Sequence, residues 1–176
     1  MAGGTRIGDA LLGAMAAGIL LLAAAIAVQV AANAIDLNPL VAFDAARPVV
    51  GRAVTLNSLL DLQWHLLATI ALLPAGLVWL RDRHVRVDVI QSRLPPRGRA
   101  AIDLAGNAVF AAPFLWFALP ASWSFAAQAW RIDEGSANGG LVDLWLVKGV
   151  LPLGLALLAG AISWECVRLA RTLAGR

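Results

Sequence analysis

Apolar positions dominate this chain in four long stretches that carry almost no charge, and short polar or charged segments separate them. A helix needs roughly 20 predominantly apolar residues to cross a hydrocarbon core of about 30 Å. The pattern therefore predicts four transmembrane helices, within about 10–33, 60–80, 102–130 and 144–169. The expected fold is all-α and integral to the membrane, one domain over residues 1–176, with a long interfacial segment between the first and second spans.

The first stretch, Ala10 to Ile35, has no charged side chain across 26 residues. The apolar core of a signal peptide is only about 7–15 residues long, so an uncleaved span is expected, although Ala32-Asn33-Ala34 has the small residues of a cleavage site. Gly13, Ala17 and Gly18 put small residues along one face, which lets a second helix approach closely, whether in this chain or in another. The connection that follows, Ile35 to Ser58, is too polar to span, since it carries Asp36, Asp44, Arg47 and Arg52 together with Pro39, Pro48 and Gly51. Its apolar patches, Leu37 to Phe43 and Val49-Val50, are expected to lie along the interface or to pack on a neighbouring chain.

Trp64 and Trp79 sit near the two ends of the second span, where aromatic rings favour the headgroup belts. Pro74 removes one helical hydrogen bond and is expected to bend it. The third stretch has 27 uncharged residues from Leu104 to Trp130, so it either tilts or extends past the bilayer. Pro113 and Pro120 imply distortion there, and the polar turn from Arg131 to Gly140 ends the helix. Lys148 and Pro152 interrupt the start of the fourth span and Glu165 its end.

Composition sharpens this picture. Of 176 residues, 60% are hydrophobic and 14% charged, outside the balance of a soluble domain. An isoelectric point near 10.4 invites a nucleic-acid reading, but the net charge is only +3 and the cations flank apolar runs. That distribution sets orientation and offers no groove-sized basic patch. With four spans, Arg6, the six arginines between 81 and 99, and Arg168, Arg171 and Arg176 share one side, ten cations in all. The other side holds four, Arg47, Arg52, Arg131 and Lys148. Both termini are thus expected to be cytoplasmic. Cys166 is the only cysteine, which rules out an intrachain disulfide and any relay that needs paired thiols.

Candidate chemistry is sparse. Ionisable groups deep in a membrane tend to mark an ion or substrate path, and this chain places almost none there. Asp61 and His65 lie one turn apart near the outer end of the second span, as an interfacial pair facing a partner helix or, less readily, as a proton relay. Glu165 with Arg168, and Arg99 with Asp103, have the spacing of local ion pairs at helix ends. Lys148 can snorkel outward or meet an acid of a partner subunit. There is no Walker loop, His-Glu-x-x-His, Gly-x-Ser-x-Gly or paired thiol, and with two histidines a bis-histidine haem is not expected. No enzyme activity, catalytic residue, metal or cofactor is expected.

Several segments carry a family pattern. Trp64-His65 through Pro74 to His84-Val85-Arg86-Val87-Asp88, then Arg93-Leu94-Pro95 and Arg99-Ala100-Ala101-Ile102-Asp103, strongly resembles the small permease subunit, of DctQ type, of TRAP (tripartite ATP-independent periplasmic) transporters. Trp130-Arg131-Ile132-Asp133-Glu134-Gly135-Ser136, with Trp145 and Lys148 to Pro152, resembles the connection between that family's last two helices. The likeness runs from about Ala10 to the end, and the long Ile35 to Ser58 connection departs from shorter forms of the family.

The resemblance implies a small membrane subunit of a sodium-coupled, binding-protein-dependent secondary transporter for organic acids, in the bacterial inner membrane. It implies a scaffold for a large permease subunit that moves as an elevator, with a periplasmic substrate-binding protein as third component. His84, Arg86 and Asp88, and on the other side Glu134, Ser136 and Lys148, are the residues expected to meet partners or membrane lipids. An extended His84–Asp88 would point Val85 and Val87 one way and the polar residues the other, as suits a membrane surface; a solvated basic loop that only sets topology is the competing reading. The rival function is an autonomous homo-oligomeric small transporter, for which Asp61 and His65 are the sole candidate pair.

Overall fold

The computed structural model describes residues 2–81 and 93–175, with side chains in the first helix described from Gly8 onward. Among the described residues, four helical segments are long and apolar enough to cross a membrane: Gly8–Ala34, Leu56–Leu80, Pro96–Arg131 and Trp145–Leu173.

The first is α1 (Ala2–Ala34), and the second is two helices, α2 (Leu56–Leu72) and α3 (Ala75–Leu80). The break falls at Pro74, whose ring nitrogen cannot donate to the carbonyl one turn back. The third runs as α4 (Pro96–Gly106), a π-helical turn (Asn107–Ala111) and α5 (Ala112–Arg131). The wide turn lies just ahead of Pro113, where a proline would otherwise clash with the preceding turn. At 1.5 Å per residue this 36-residue helix is about 54 Å long, so it outruns the bilayer even when tilted. The fourth is α6 (Trp145–Leu173).

α6 is the hub. It packs on α2, α3, α4 and α5, whereas α1 packs chiefly on α2, so α1 and α5 form opposite flanks. Two glycines set the closest approaches. A methyl at Gly76 of α3 would stand 2.6 Å from the Leu157 carbonyl of α6, and one at Gly154 of α6 would stand 2.8 Å from the Leu72 carbonyl of α2. Backbones this close are the small-residue packing that membranes reward, because lipid supplies no hydrophobic drive between helices. In the first span Gly18 meets Ile70 of α2, whereas Gly13 faces open space.

Leu115, Leu155 and Ile162 form the buried cluster between α5 and α6. The outer flank of the third span exposes Phe110 of the π-helical turn and Phe114, Trp116, Phe117 and Trp123 of α5, an apolar surface far beyond what a soluble monomer shows and natural against acyl chains.

The connection between the first two spans contains a structure that the sequence reading did not name. β1 (Val41–Arg47) and β2 (Gly51–Val54) form an antiparallel hairpin that pairs Val41 with Val54 and Ala42 with Ala53, and Arg47 with Gly51 after a register shift. The second span also begins earlier than expected. Thr55 and Ser58 form a reciprocal capping box, each side-chain oxygen accepting the other's backbone N–H at 3.1 Å, and this starts α2 at Leu56.

Candidate functional site

The polar residues of this chain gather at the two ends of the bundle, and the end bearing the hairpin is the more elaborately built. There the loop 132–144 folds back between the hairpin tip and the first turns of α2 and α6. Its own frame comes from Ser136 N–H donating to the Leu141 carbonyl (2.8 Å) and Leu144 N–H donating to the Glu134 carbonyl (2.9 Å). Leu141 is buried at the centre.

Three anchors tie this loop to distant sequence. From α2, the Asp61 carboxylate accepts the Leu141 N–H at 3.0 Å, Asn57 Nδ2 donates to the Asn138 carbonyl at 2.6 Å, and Thr55 Oγ1 donates to the Gly139 carbonyl at 3.2 Å. Gly140 is required here, because a β-carbon would run into the Asp61 carboxylate and reach 3.0 Å from the Asn57 carbonyl.

From the hairpin, Val49 N–H donates to Asp143 Oδ2 at 2.9 Å while Val142 N–H donates to the Val49 carbonyl at 2.8 Å. Val49 has φ +67, a region that β-branched residues avoid, and Val50 N–H closes a tight turn onto the Pro48 carbonyl. The loop holds this strained tip from both of its backbone polar groups.

From α6, Lys148 Nζ lies 2.6 Å from both carboxylate oxygens of Glu134 and 4.2 Å from the Phe125 ring centroid. Side-chain exposures of 19% and 30% place the pair at a sheltered edge, where a charge-assisted contact is worth more than at an open surface. Beside it Trp130 and Trp145 meet edge to face, with centroids 4.4 Å apart.

The residues singled out by sequence now have definite places. Glu134 and Lys148 are brought together within the chain. Ser136 contributes its backbone to the loop frame. Asp61 and His65 touch, but through the backbone: His65 Nδ1–H donates to the Asp61 main-chain carbonyl, and the Asp61 carboxylate is turned to Leu141. His84, Arg86 and Asp88 lie outside the described residues.

Asp143, Asn57, Asn138 and Val49 were not anticipated. Thr55-Leu56-Asn57-Ser58 does carry the capping signal just before an apolar run, and Asn138-Gly139-Gly140 marks a turn. Nothing local reveals that these two segments meet.

At the other end, Arg81 pairs with Asp9 at 2.9 Å and Arg168 with Glu165 at 2.7 Å, while Arg99 Nε donates to the Leu94 carbonyl at 2.9 Å. Within the spans, Gln63 Nε2 donates to Gln29 Oε1 across α1 and α2, and Ser122 Oγ donates to the Leu119 carbonyl. Among the described residues no group of three or more His, Cys, Asp or Glu side chains is placed to hold a metal ion.

This arrangement can fix geometry and present a defined polar surface. A family model described as "Tripartite ATP-independent periplasmic transporters, DctQ component" matches residues 46–172. The matched stretch begins inside the hairpin and leaves out α1, to which the sequence resemblance had extended. No curated protein matches the chain.

Proposed function

The chain belongs to the DctQ family of tripartite ATP-independent periplasmic transporters, and from that premise we propose that it works as the fixed scaffold of such a transporter. Membership makes it a small membrane subunit of a TRAP transporter, with four helices able to span the bilayer. In the proposed role it holds a large permease subunit, which carries the substrate and sodium sites, while a periplasmic binding protein delivers an organic acid. The chain itself catalyses nothing.

The observation that carries this reading is the fate of Asp61. It is the acid on which a self-sufficient small transporter would depend, and its carboxylate is committed to the Leu141 N–H, joining α2 to the loop ahead of α6. A carrier needs an ionisable group that exchanges partners during the cycle, whereas a scaffold needs one that stays where it is. Glu134 with Lys148 likewise ties a loop to a helix.

The excess of arginines near residues 81–99 and 168–176 supports a cytoplasmic location for both termini in a bacterial inner membrane. The hairpin and the loop 132–144 then face the periplasm, the side from which a binding protein arrives. An impermeant maleimide applied to intact spheroplasts should label Ala137→Cys and leave Ala174→Cys unlabelled until the membrane is opened; the reverse pattern would invert this orientation.

The functional test is affinity purification of the tagged chain from its native membrane in mild detergent, with mass spectrometry of what accompanies it. Recovery of a larger multi-span permease in fixed ratio is expected. Recovery of the chain with itself alone would overturn the scaffold role. The double variant Asp61→Asn with His65→Ala should retain coupled transport as long as the complex assembles.

A further inference from the structure

A polar cavity of about 570 Å³ opens where α3 ends, α4 begins and α6 ends. Arg81, Arg99 and Arg168 reach it from these three segments, and Asp103 and Glu165 share its wall. This size is within the range of small-ligand sites. Beside it a second cavity of about 220 Å³ is lined by Trp164, Val167, Arg168, Arg171 and Thr172, so Arg168 and Thr172 belong to both. Trp164 and Val167 are exposed on the outer face of α6, one turn deeper in the membrane than Arg168 and Arg171.

We propose that these adjoining cavities bind one anionic phospholipid, its phosphate held by the arginines and an acyl chain lying on Trp164 and Val167. Three features carry this. First, the cations are all arginines, whose planar forks match the oxygens of a phosphate. Each guanidinium has five N–H donors in a fixed fork, so that it can meet a carboxylate, as Arg81 meets Asp9 and Arg168 meets Glu165 among the described residues, and a phosphate oxygen as well. Second, among the described residues that line the two cavities, Arg81, Arg99, Arg168 and Arg171 face two carboxylates, Asp103 and Glu165, and Asp9 pairs with Arg81 from outside the lining, which leaves one positive charge for a phosphodiester anion. Third, the cavity lies at the ends of spanning helices, at headgroup depth, where a basic pocket between helices meets a lipid phosphate before any soluble one. The assignment does not depend on the scaffold role or on which side these ends face.

Free phosphate shares the recognised chemistry, and the test separates the two sources. The purified chain in mild detergent is examined by native mass spectrometry for retained lipid. Its thermal unfolding is followed with added phosphatidylglycerol, phosphatidylcholine or inorganic phosphate. Phosphatidylglycerol should be retained and should raise the melting temperature, with no effect of phosphatidylcholine. Arg99→Gln and Arg168→Gln should each lower retention about fivefold, since one basic residue at an anionic surface contributes on that order. Arg131→Gln, at the opposite end of the third span, should leave retention unchanged and controls for general loss of charge.

Equal retention of the two lipids by the wild-type chain would overturn the proposal, and that comparison needs no variant to fold. Stabilisation by inorganic phosphate with no lipid retained would also overturn it, in favour of a free-anion site. An equal loss in Arg131→Gln would reduce the effect to unspecific attraction and overturn it too.

Discussion

The two ends of this bundle hold similar kinds of charged side chain and use them differently. At the hairpin end, Asp61, Asp143, Glu134 and Lys148 each bond a group distant in sequence or in another element, so that α2, the hairpin, the loop 132–144 and α6 become one unit. At the arginine end, the Arg168–Glu165 contact stays within one turn of α6, and Arg81–Asp9 is an open surface pair with Asp9 67% exposed. A carboxylate that accepts a sheltered backbone N–H is costly to remove because it strands that donor, whereas an exposed ion pair is screened by water and contributes little. The hairpin end is therefore tied together by sheltered contacts between elements, whereas the Arg81–Asp9 and Arg168–Glu165 pairs at the arginine end hold more weakly.

The largest expected contrast comes from adding one methyl at each end. Gly140→Ala drives a β-carbon into the Asp61 carboxylate and should destabilise the chain by about 3 kcal/mol, combining overpacking with a lost charged hydrogen bond. Gly98→Ala in α4 meets only ordinary contacts, the nearest at 3.4 Å, and should be neutral or stabilising by up to about 1 kcal/mol through helix propensity. Thermal unfolding in detergent reads both, and shifts of the same sign would erase the distinction between the ends.

Next in size is the sheltered pair. Glu134→Ala leaves the Lys148 ammonium without its carboxylate and should cost about 2 kcal/mol, against less than about 0.5 kcal/mol for Asp9→Ala at the exposed pair. Asp143→Ala releases the hairpin tip and should cost about 1 kcal/mol. Its clearest sign would be faster amide exchange at Val49, with exchange along α3 unaltered. The smallest effect expected is a gain. Val49→Gly removes a β-branched side chain from φ +67 and should stabilise by roughly 0.5–1 kcal/mol; a loss instead would mean that the Val49 side chain contributes more packing than its backbone costs.

The second span shows how far sequence reading reaches. Its apolar length and the break at Pro74 are local, and each is found where the residues place it, whereas the start at Leu56 leaves Trp64 in the ninth position of the helix and not at its end. The start at Leu56 was missed although Thr55 and Ser58 spell a capping box, because polarity near residue 58 outweighed that signal. The hairpin was hidden for a different reason. Its strands are short and Ala-rich, lack clean alternation and carry Pro48 at the turn, so period-two patterning is faint. Asp61 shows both ranges: its spacing of four to His65 is visible in the sequence, and the two do meet through the Asp61 main-chain carbonyl, while the Leu141 N–H that its carboxylate accepts lies 80 residues away.

The sequence by itself determined the number of spans, their rough limits and the sidedness expected of the arginines, because hydropathy and charge act on each segment separately. In lipid every backbone polar group must be satisfied within its own helix, so a long apolar run has essentially one outcome. Tertiary structure alone decided that α6 is the hub, that Gly76 and Gly154 set its closest contacts, that Glu134 meets Lys148, and that the hairpin tip seats on Asp143. Those pairings depend on which surfaces fit at atomic distance across tens of residues, and no periodicity along the chain encodes that fit.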